Sequence, residues 1–453
     1  MILSVLLGAC VPTAPIPEAA TRIATAPDAI LPPMKTFAAR RVPSGTTSNA
    51  DLVRDFLDLS FTLESGRPLE SFTRFETPVG VRLTGPAGAA MRSDLARLLS
   101  RLRDEAGIDI AATERRDAQI TVQVVRRSDI RRHLPQAACF VVPNVSSLAE
   151  YADKRHAPDV SWSKLTERSR AAIFVPGDTS PQEARDCLHE ELAQALGPLN
   201  DLYRLPESVF NDDNVHNVLT GHDMTILRAY YDPALRSGMT REKVGARLPG
   251  ILARLNPAGE GVPPTGLADT PRDWTEAVQT ALAPGPSAEE KRRAARRALH
   301  IAASLEPDDH RRGFSHYAMG RTLQRRAPDA ARSHFEAADR IFATSARTAL
   351  HRAYVAPHLA QDALSAGRTE AALAWIRPAR VVAERHENAA LLATLMLLEA
   401  EALELSGRAA EARAVRLDSL GWARYGFGSD WAVQAKTRDA ASLTPAQGGV
   451  VRP

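Results

Sequence analysis

The stretch from Ser180 to Pro198 constrains the fold more than any other part of the chain. Ser180-Pro181-Gln182-Glu183 has the form of a helix start: a hydroxyl N-cap, proline at the first helical position, and a glutamate three places on that can reach back. Gly197-Pro198 is an equally firm stop. The intervening helix carries Leu188-His189-Glu190-Glu191-Leu192-Ala193-Gln194. Residues four apart share a helix face, which is how an HExxH motif offers two imidazoles to one zinc ion with a glutamate general base between them. Two registers are open. Started at His189, the fifth position is Ala193. Started at Glu190, the pattern is Glu190-Glu191-Leu192-Ala193-Gln194-Ala195-Leu196-Gly197, with Glu and Gln where the imidazoles belong. We take the second, because it keeps the glycine turn. Glu191 is then the candidate base, and Glu190, Gln194 and Asn200 (three residues past the glycine) are the candidate ligands. Amide oxygens bind zinc poorly, so the set is compatible with a zinc ion or with no cofactor. The plainer alternative is an acidic, solvated helix face.

Ser208-Val209-Phe210 follows, and then Leu219-Thr220-Gly221-His222-Asp223-Met224-Thr225-Ile226-Leu227-Arg228-Ala229-Tyr230-Tyr231. The pair of segments resembles the metzincin peptidases. There a Ser-Val/Ile-Met turn lies under the metal, and matrixin-like members continue with Leu-Thr-x-x-Asp; Phe210 takes the methionine position. With Asn200-Asp201, Phe210-Asn211-Asp212 and Tyr231-Asp232-Pro233…Gly238-Met239-Thr240, residues 50 to 245 resemble a bacterial envelope family known as domain of unknown function 2927. The resemblance implies a zincin-like fold and a metallopeptidase role. The chain departs from it in having no His-Glu-His triad.

The fold class expected is α+β: a zincin-like domain over 49–245, then an all-α helical-repeat domain. Ala50–Leu63 and Ser93–Ala106 have helical spacing of apolar residues, while Val79–Leu83, Ile120–Val125, Ala138–Val142 and Ala172–Val175 read as strands. Strand, helix, three strands and an active-site helix is the zincin order, in which the edge strand lies along the cleft and can add an extended peptide. Cys139 and Cys187 could form a disulfide in an oxidising compartment or remain two buried thiols. His216 and His222 read as turn or surface histidines, Asp212-Asp213 as a turn, and Tyr230 and Tyr231 as core.

The first ten residues end in Leu7-Gly8-Ala9-Cys10, the pattern of a lipoprotein signal cut before a cysteine that is then acylated. The apolar run is short and no Lys or Arg precedes it. This reading makes Cys10 a membrane anchor and places the chain in the bacterial cell envelope, facing the periplasm. Residues 11–48, rich in Pro, Ala and Thr, then form an extended tether. A net charge of +3 over 453 residues gives no reason to expect a nucleic-acid partner, and no run of about 18 apolar residues suggests an internal membrane span.

Residues 255–272 form a Pro/Gly linker. Beyond it Ser287-Ala288-Glu289-Glu290 caps a helix whose basic run, Lys291–Arg297, reads as a solvated face. Gly367-Arg368-Thr369-Glu370-Ala371-Ala372 and Gly407-Arg408-Ala409-Ala410-Glu411-Ala412 recur at a spacing of about 40 and answer to a stretch beginning at Asp329. Helix, turn and helix with paired small residues resembles tetratricopeptide repeats over 273–437, which implies a groove for a peptide or protein partner. Residues 438–453 read as a disordered tail. Two functions fit the whole: a scaffold that binds polypeptide with its metal ligands lost, or a metal-dependent peptidase using Glu191.

Overall fold

A computed structural model describes residues 31–38 and 47–441. Cys10 and most of the tether therefore lie outside the described residues. The first part of the chain is built on a five-stranded mixed sheet in the order β2-β1-β3-β5-β4. The strands are β1 Val79–Thr84, β2 Ile110–Ala112, β3 Ile120–Val125, β4 Phe140–Pro143 and β5 Ala171–Pro176. All neighbours are parallel except β4, which runs antiparallel to β5 with Val142 opposite Ala172.

Alternation explains the two faces of the sheet. Val81, Ile120, Val122, Val124, Ile173 and Val175 enter the main core with Leu95, Leu98 and Leu188. Ala172, Phe174, Phe140 and Val142 point the other way and pack with Ile130 and Val145. β5 is buried on both faces, so it reads as a continuous apolar run.

Eight helices accompany this sheet: α1 Asn49–Ser60, α2 Ala89–Ala106, α3 Arg127–His133, α4 Leu148–Lys154, α5 Pro181–Leu196, α6 Gly221–Tyr230, α7 Arg241–Gly245 and α8 Leu248–Leu255. β2, α3 and α4 escape the sequence reading because each is too short to display a period. At the start of α5, the Ser180 hydroxyl accepts from the Glu183 N–H at 3.2 Å. The Glu183 carboxylate does not reach back as the motif suggests; it pairs with Arg127 and accepts from Thr179.

The rest of the chain is helical: α9 Arg272–Leu282, α10 Ala288–Ala302, α11 His310–Leu323, α12 Pro328–Phe342, α13 Ala349–Ser365, α14 Thr369–Arg385, α15 Ala389–Leu405, α16 Ala409–Phe427 and α17 Asp430–Ala441. Successive helices pack on one another from α9 to α16. Small residues permit the close approach: a Cβ on Gly320 or Gly313 of α11 would stand 2.7 or 2.8 Å from the Phe335 or Phe342 ring. Ser287 and Glu290 form the reciprocal capping box of α10. Among the described residues no helix is long and apolar enough to cross a membrane.

Three sequence expectations need correction. The tether is not wholly free of the folded chain, because Phe37 is buried and stacks on Trp422 of α16 at 4.5 Å. One aromatic in a Pro-rich segment is enough to dock it. Residues 255–272 are not a free linker, since the Thr265 N–H donates to Asp51 at 2.9 Å and Arg54 holds Leu267 and Asp269. The tail expected from 438 is helical as far as Ala441. The two parts also share a core, for Tyr203 and Val215 of the first part are buried with Trp274, Phe314 and Leu350 of the helical part.

Candidate functional site

α5 is held at both ends. Its terminal carbonyls are all satisfied: buried Arg168 donates to the oxygens of Gln194 (2.6 Å), Ala195 (2.8 Å) and Gly197 (2.5 Å), and Tyr231 donates to Leu196 at 3.0 Å. A guanidinium here also suits the negative end of the helix dipole. Gly197 lets the chain turn against the Tyr230 ring, 3.0 Å from where a Cβ would sit. Cys187 in mid-helix is joined to Cys139 beside β4 by a disulfide.

The turn beneath the helix is pinned by one carboxylate. Ser208 donates to Asp223 Oδ1 at 2.5 Å, and the Val209 and Thr220 amides donate to Asp223 Oδ2 at 3.2 and 2.7 Å. Thr220 and Asp223 together form the capping box of α6, so the Leu-Thr-x-x-Asp pattern does structural work. Phe210 is fully buried in this turn. Burial raises the Asp223 carboxyl to about 6 in spite of these donors.

His189 is settled by geometry: its Nδ1 accepts from the Leu219 N–H at 3.1 Å in a buried setting. Burial, with the charges of Arg101 and Arg185, holds it well below its ordinary value and therefore neutral. The second register puts Glu190, Glu191 and Gln194 together, but not as a ligand set. Gln194 Nε2 donates to Glu64 at 3.3 Å. Asn200 is turned to the backbone, donating to the Asp58 carbonyl and accepting from the Asp201 N–H, each at 3.0 Å. Among the described residues no three His, Cys, Asp or Glu side chains are arranged to hold a metal ion. With two amides engaged elsewhere and no imidazole present, the residues do not fit zinc.

What the fold assembles instead is a group of acids. Glu190, Glu191, Asp201 and Glu64 lie within charge range of one another, with Asp212 beside them. Burial first, and then mutual repulsion, raises Glu190 to about 7 and pushes Glu191 and Asp201 well above the carboxylate range. Glu191 Oε2 and Asp201 Oδ1 are buried without a hydrogen-bond partner. Glu64, Asp201 and Asp212 line a cleft of about 660 Å3. Its near wall comes from 58–66 and 200–204, and its far wall from Asp269 to Gln279, including α9. β4 contributes nothing to it, contrary to the expected edge-strand cleft.

Residues 49–250 match the model of a family described as protein of unknown function (DUF2927). No curated protein and no solved structure matches the chain.

The DUF2927 region is joined to the helical part through the first turns of α5 and the loop before α6. Arg185 donates to Glu387 Oε2 at 2.9 Å, and Gln182 Oε1 accepts from the Ala390 N–H at 2.9 Å. Asn388 Nδ2 donates to Asn217 at 2.6 Å, and Asn217 in turn donates to Asp186 at 2.7 Å. Asp213 pairs with His351 at 2.7 Å. His216 is buried 5.3 Å from the His386 ring, and His222 is buried within α6. Neither is the turn or surface histidine expected. Asp212-Asp213 is likewise more than a turn, one residue facing the cleft and the other the helices. These roles were hidden because they depend on helices that begin some fifty or more residues later in the chain.

Proposed function

We propose that the chain is a non-catalytic, polypeptide-binding protein of the bacterial cell envelope, made of a zincin-like domain with altered metal ligands and a tetratricopeptide-like helical module. The observation that carries this reading is the fate of the ligand positions: Gln194 and Asn200 are engaged in fixed hydrogen bonds, and Asn200 lies on the wall of a cleft that Glu64, Asp201 and Asp212 also line. The cleft is walled by both parts of the chain, and its lining is largely charged and polar, unlike the mostly apolar lining of small-molecule pockets. A disulfide fits an oxidising compartment, and acylation of Cys10 would hold the protein at a membrane.

Metal analysis of the full chain purified without chelator, together with hydrolysis assays on unfolded protein substrates, tests the reading. The expected result is no stoichiometric zinc and no cleavage. The competing reading, a peptidase with Glu191 as general base, draws on the unpartnered Glu191 Oε2. Zinc at one equivalent that is lost in Glu190→Ala, or cleavage abolished by Glu191→Gln, would establish it. The envelope assignment has its own test: Cys10→Ser should abolish incorporation of labelled palmitate.

A further inference from the structure

A second cavity, of about 200 Å3, lies where the DUF2927 region meets the helices. One side comes from the loop before α6, with Asp213 and Val215, and the other walls are aromatic: Phe314 and Tyr317 of α11, Phe342 of α12 and Tyr354 of α13. Close-packed interiors leave few voids larger than a water molecule, and an apolar cavity of about 150 Å3 is enough to bind benzene. The two ends differ. At one, Asp213 accepts from His351 Nε2 at 2.7 Å and from the Val215 N–H at 3.0 Å, so both its oxygens are engaged. The His351 ring stands 6.1 Å from that of His310 and 6.3 Å from that of Phe314, which puts this end beside the first turns of α11. Arg321, which also lines the cavity, lies about 10 Å beyond Phe314 along the same helix. Its guanidinium donates to the Tyr317 hydroxyl at 2.9 Å and lies over that ring, and among the described residues it forms no ion pair. Tyr317, 8% exposed, is only an acceptor in that bond, and Tyr354 likewise accepts from Asn388 at 2.6 Å. Each phenol keeps an O–H that no acceptor among the described residues takes. An unpaired guanidinium and two phenol protons beside an apolar cavity call for an acceptor that carries negative charge.

We propose that this cavity binds a small aromatic carboxylate, with its ring among Phe314, Phe342 and Tyr354 and its carboxylate at the Arg321 end. Size decides the class. Pockets for drug-sized ligands run to about 300–1,000 Å3, so this one suits a single ring with a short acidic arm. Charge decides the orientation, because Asp213 repels a carboxylate at the other end. The walls come from both parts of the chain, so a bound acid touches both sides of the joint and stabilises it. The site is separate from the acidic cleft and does not depend on the polypeptide-binding reading.

Calorimetric titration of the full chain with 3-phenylpropionate tests this against 3-phenylpropanol, which lacks the charge, and propionate, which lacks the ring. The acid should bind at one equivalent, about tenfold or more tighter than either, and should raise the midpoint of thermal unfolding. Arg321 is exposed on α11, so Arg321→Gln should keep its circular dichroism and bind the acid and the alcohol alike. Leu282→Trp fills the cavity from the partly exposed end of α9 and should abolish binding of the acid. Equal binding of acid and alcohol by the unaltered chain overturns the proposal. So does an acid that fails to bind at millimolar concentration, or whose binding is unchanged in either variant. A peptide ending in a free phenylalanine is the remaining arm: if it binds where the free acid does not, and loses binding in Arg321→Gln, the cavity belongs to a polypeptide and the proposal fails. None of these failures touches the polypeptide-binding reading, which rests on other residues.

Discussion

The two halves of α5 differ in how buried charge is met: the first brings Arg185 to Glu387, and the second gathers acids alone. In the first half, Gln182, Arg185 and Asp186 each find a partner in the helical part or the loop before α6, although Asp186 Oδ1 has none and burial raises that carboxyl well above its ordinary value. In the second half, Glu190 and Glu191 face Glu64 and Asp201 with no cation at hand. Paired charge at the first surface fixes how the DUF2927 region and the helices are joined. At the second, burial and mutual repulsion favour the protonated carboxyls, so the cost of the group is met by bound protons rather than by a cation. One helix thus carries both a structural contact and a candidate binding site.

The largest effect should come from breaking the paired half. Arg185 is 3% exposed and also lies over the Tyr425 ring at 5.2 Å. Arg185→Ala leaves Glu387 without its partner and should destabilise the protein by roughly 3–5 kcal/mol. Urea unfolding gives the loss, and limited proteolysis should find earlier cleavage between 255 and 272. A loss below about 1 kcal/mol would mean that the joint does not depend on this pair. Glu387 itself has φ of +53°, a left-handed conformation that glycine usually takes after a helix. Gly367 and Gly407 take it after α13 and α15. A glutamate at this position after α14 gives up backbone comfort for the contact with Arg185.

Acid should separate the halves, because their titrations have opposite signs. Burial lowers His310 to about 3 and His386 to about 4, and puts His216 well below its ordinary value. Below about pH 6.5 the unfolded chain takes up protons that these histidines refuse, so the joint loses stability as pH falls toward 4. Glu190, raised to about 7, does the reverse. Between about pH 4.5 and 7 the folded chain holds a proton that the unfolded chain releases, so the cleft half gains stability as pH falls through that window. Each contribution is on the order of 2 kcal/mol. Because three lowered histidines oppose one raised carboxyl, stability should fall from about pH 6.5 toward pH 4, less steeply than the histidines alone would give. In Glu190→Gln the decline should begin near pH 6.5 and be steeper. An unchanged profile in that variant would remove Glu190 from the titrating set.

Much of the fold was legible because it rests on local patterns. The start and stop of α5, the capping box at Ser287, and the alternation that divides Ile173 from Phe174 can all be read within a few residues. The candidate site was legible in part. Glu190 and Glu191 stand out on the helix, but their acidic neighbours come from 64, 201 and 212, and sequence spacing says nothing about that meeting. Arg168 was not legible at all, because an arginine in a loop carries no sign that it will close a helix nearly thirty residues later. His189 misled for a related reason: whether an imidazole faces a metal or an amide depends on where Leu219 is placed.

Glu191→Gln sharpens the contrast by removing one acid from the second half without changing its shape. The substitution should stabilise the fold at pH 8 by on the order of 1–2 kcal/mol, and less at pH 5, where the carboxyl already carries its proton. Most single substitutions of a buried polar group destabilise, so even a modest gain would be informative. Thermal unfolding at the two pH values measures it. A loss at pH 8 would show that Glu191 has a partner in the folded protein after all, and the comparison between the halves would fail at its central residue.

The smallest effect tests whether the halves are coupled through the helix itself. Ser180→Ala removes the N-cap acceptor of the Glu183 amide and should cost about 1 kcal/mol. Ser287→Ala is the natural reference, since its cap is of the same kind at 3.3 Å but lies on a helix end exposed to solvent. A hydroxyl does not titrate, so neither loss should change between pH 5 and 8. If Ser180→Ala costs no more than the reference, the contacts of Gln182 and Arg185 hold the first turn without help from the cap. If it costs clearly more, and the excess grows toward acid, then fraying at the first turn loosens the histidine-lined joint. The N-terminus of α5 would then set how firmly α9 is held across the cleft.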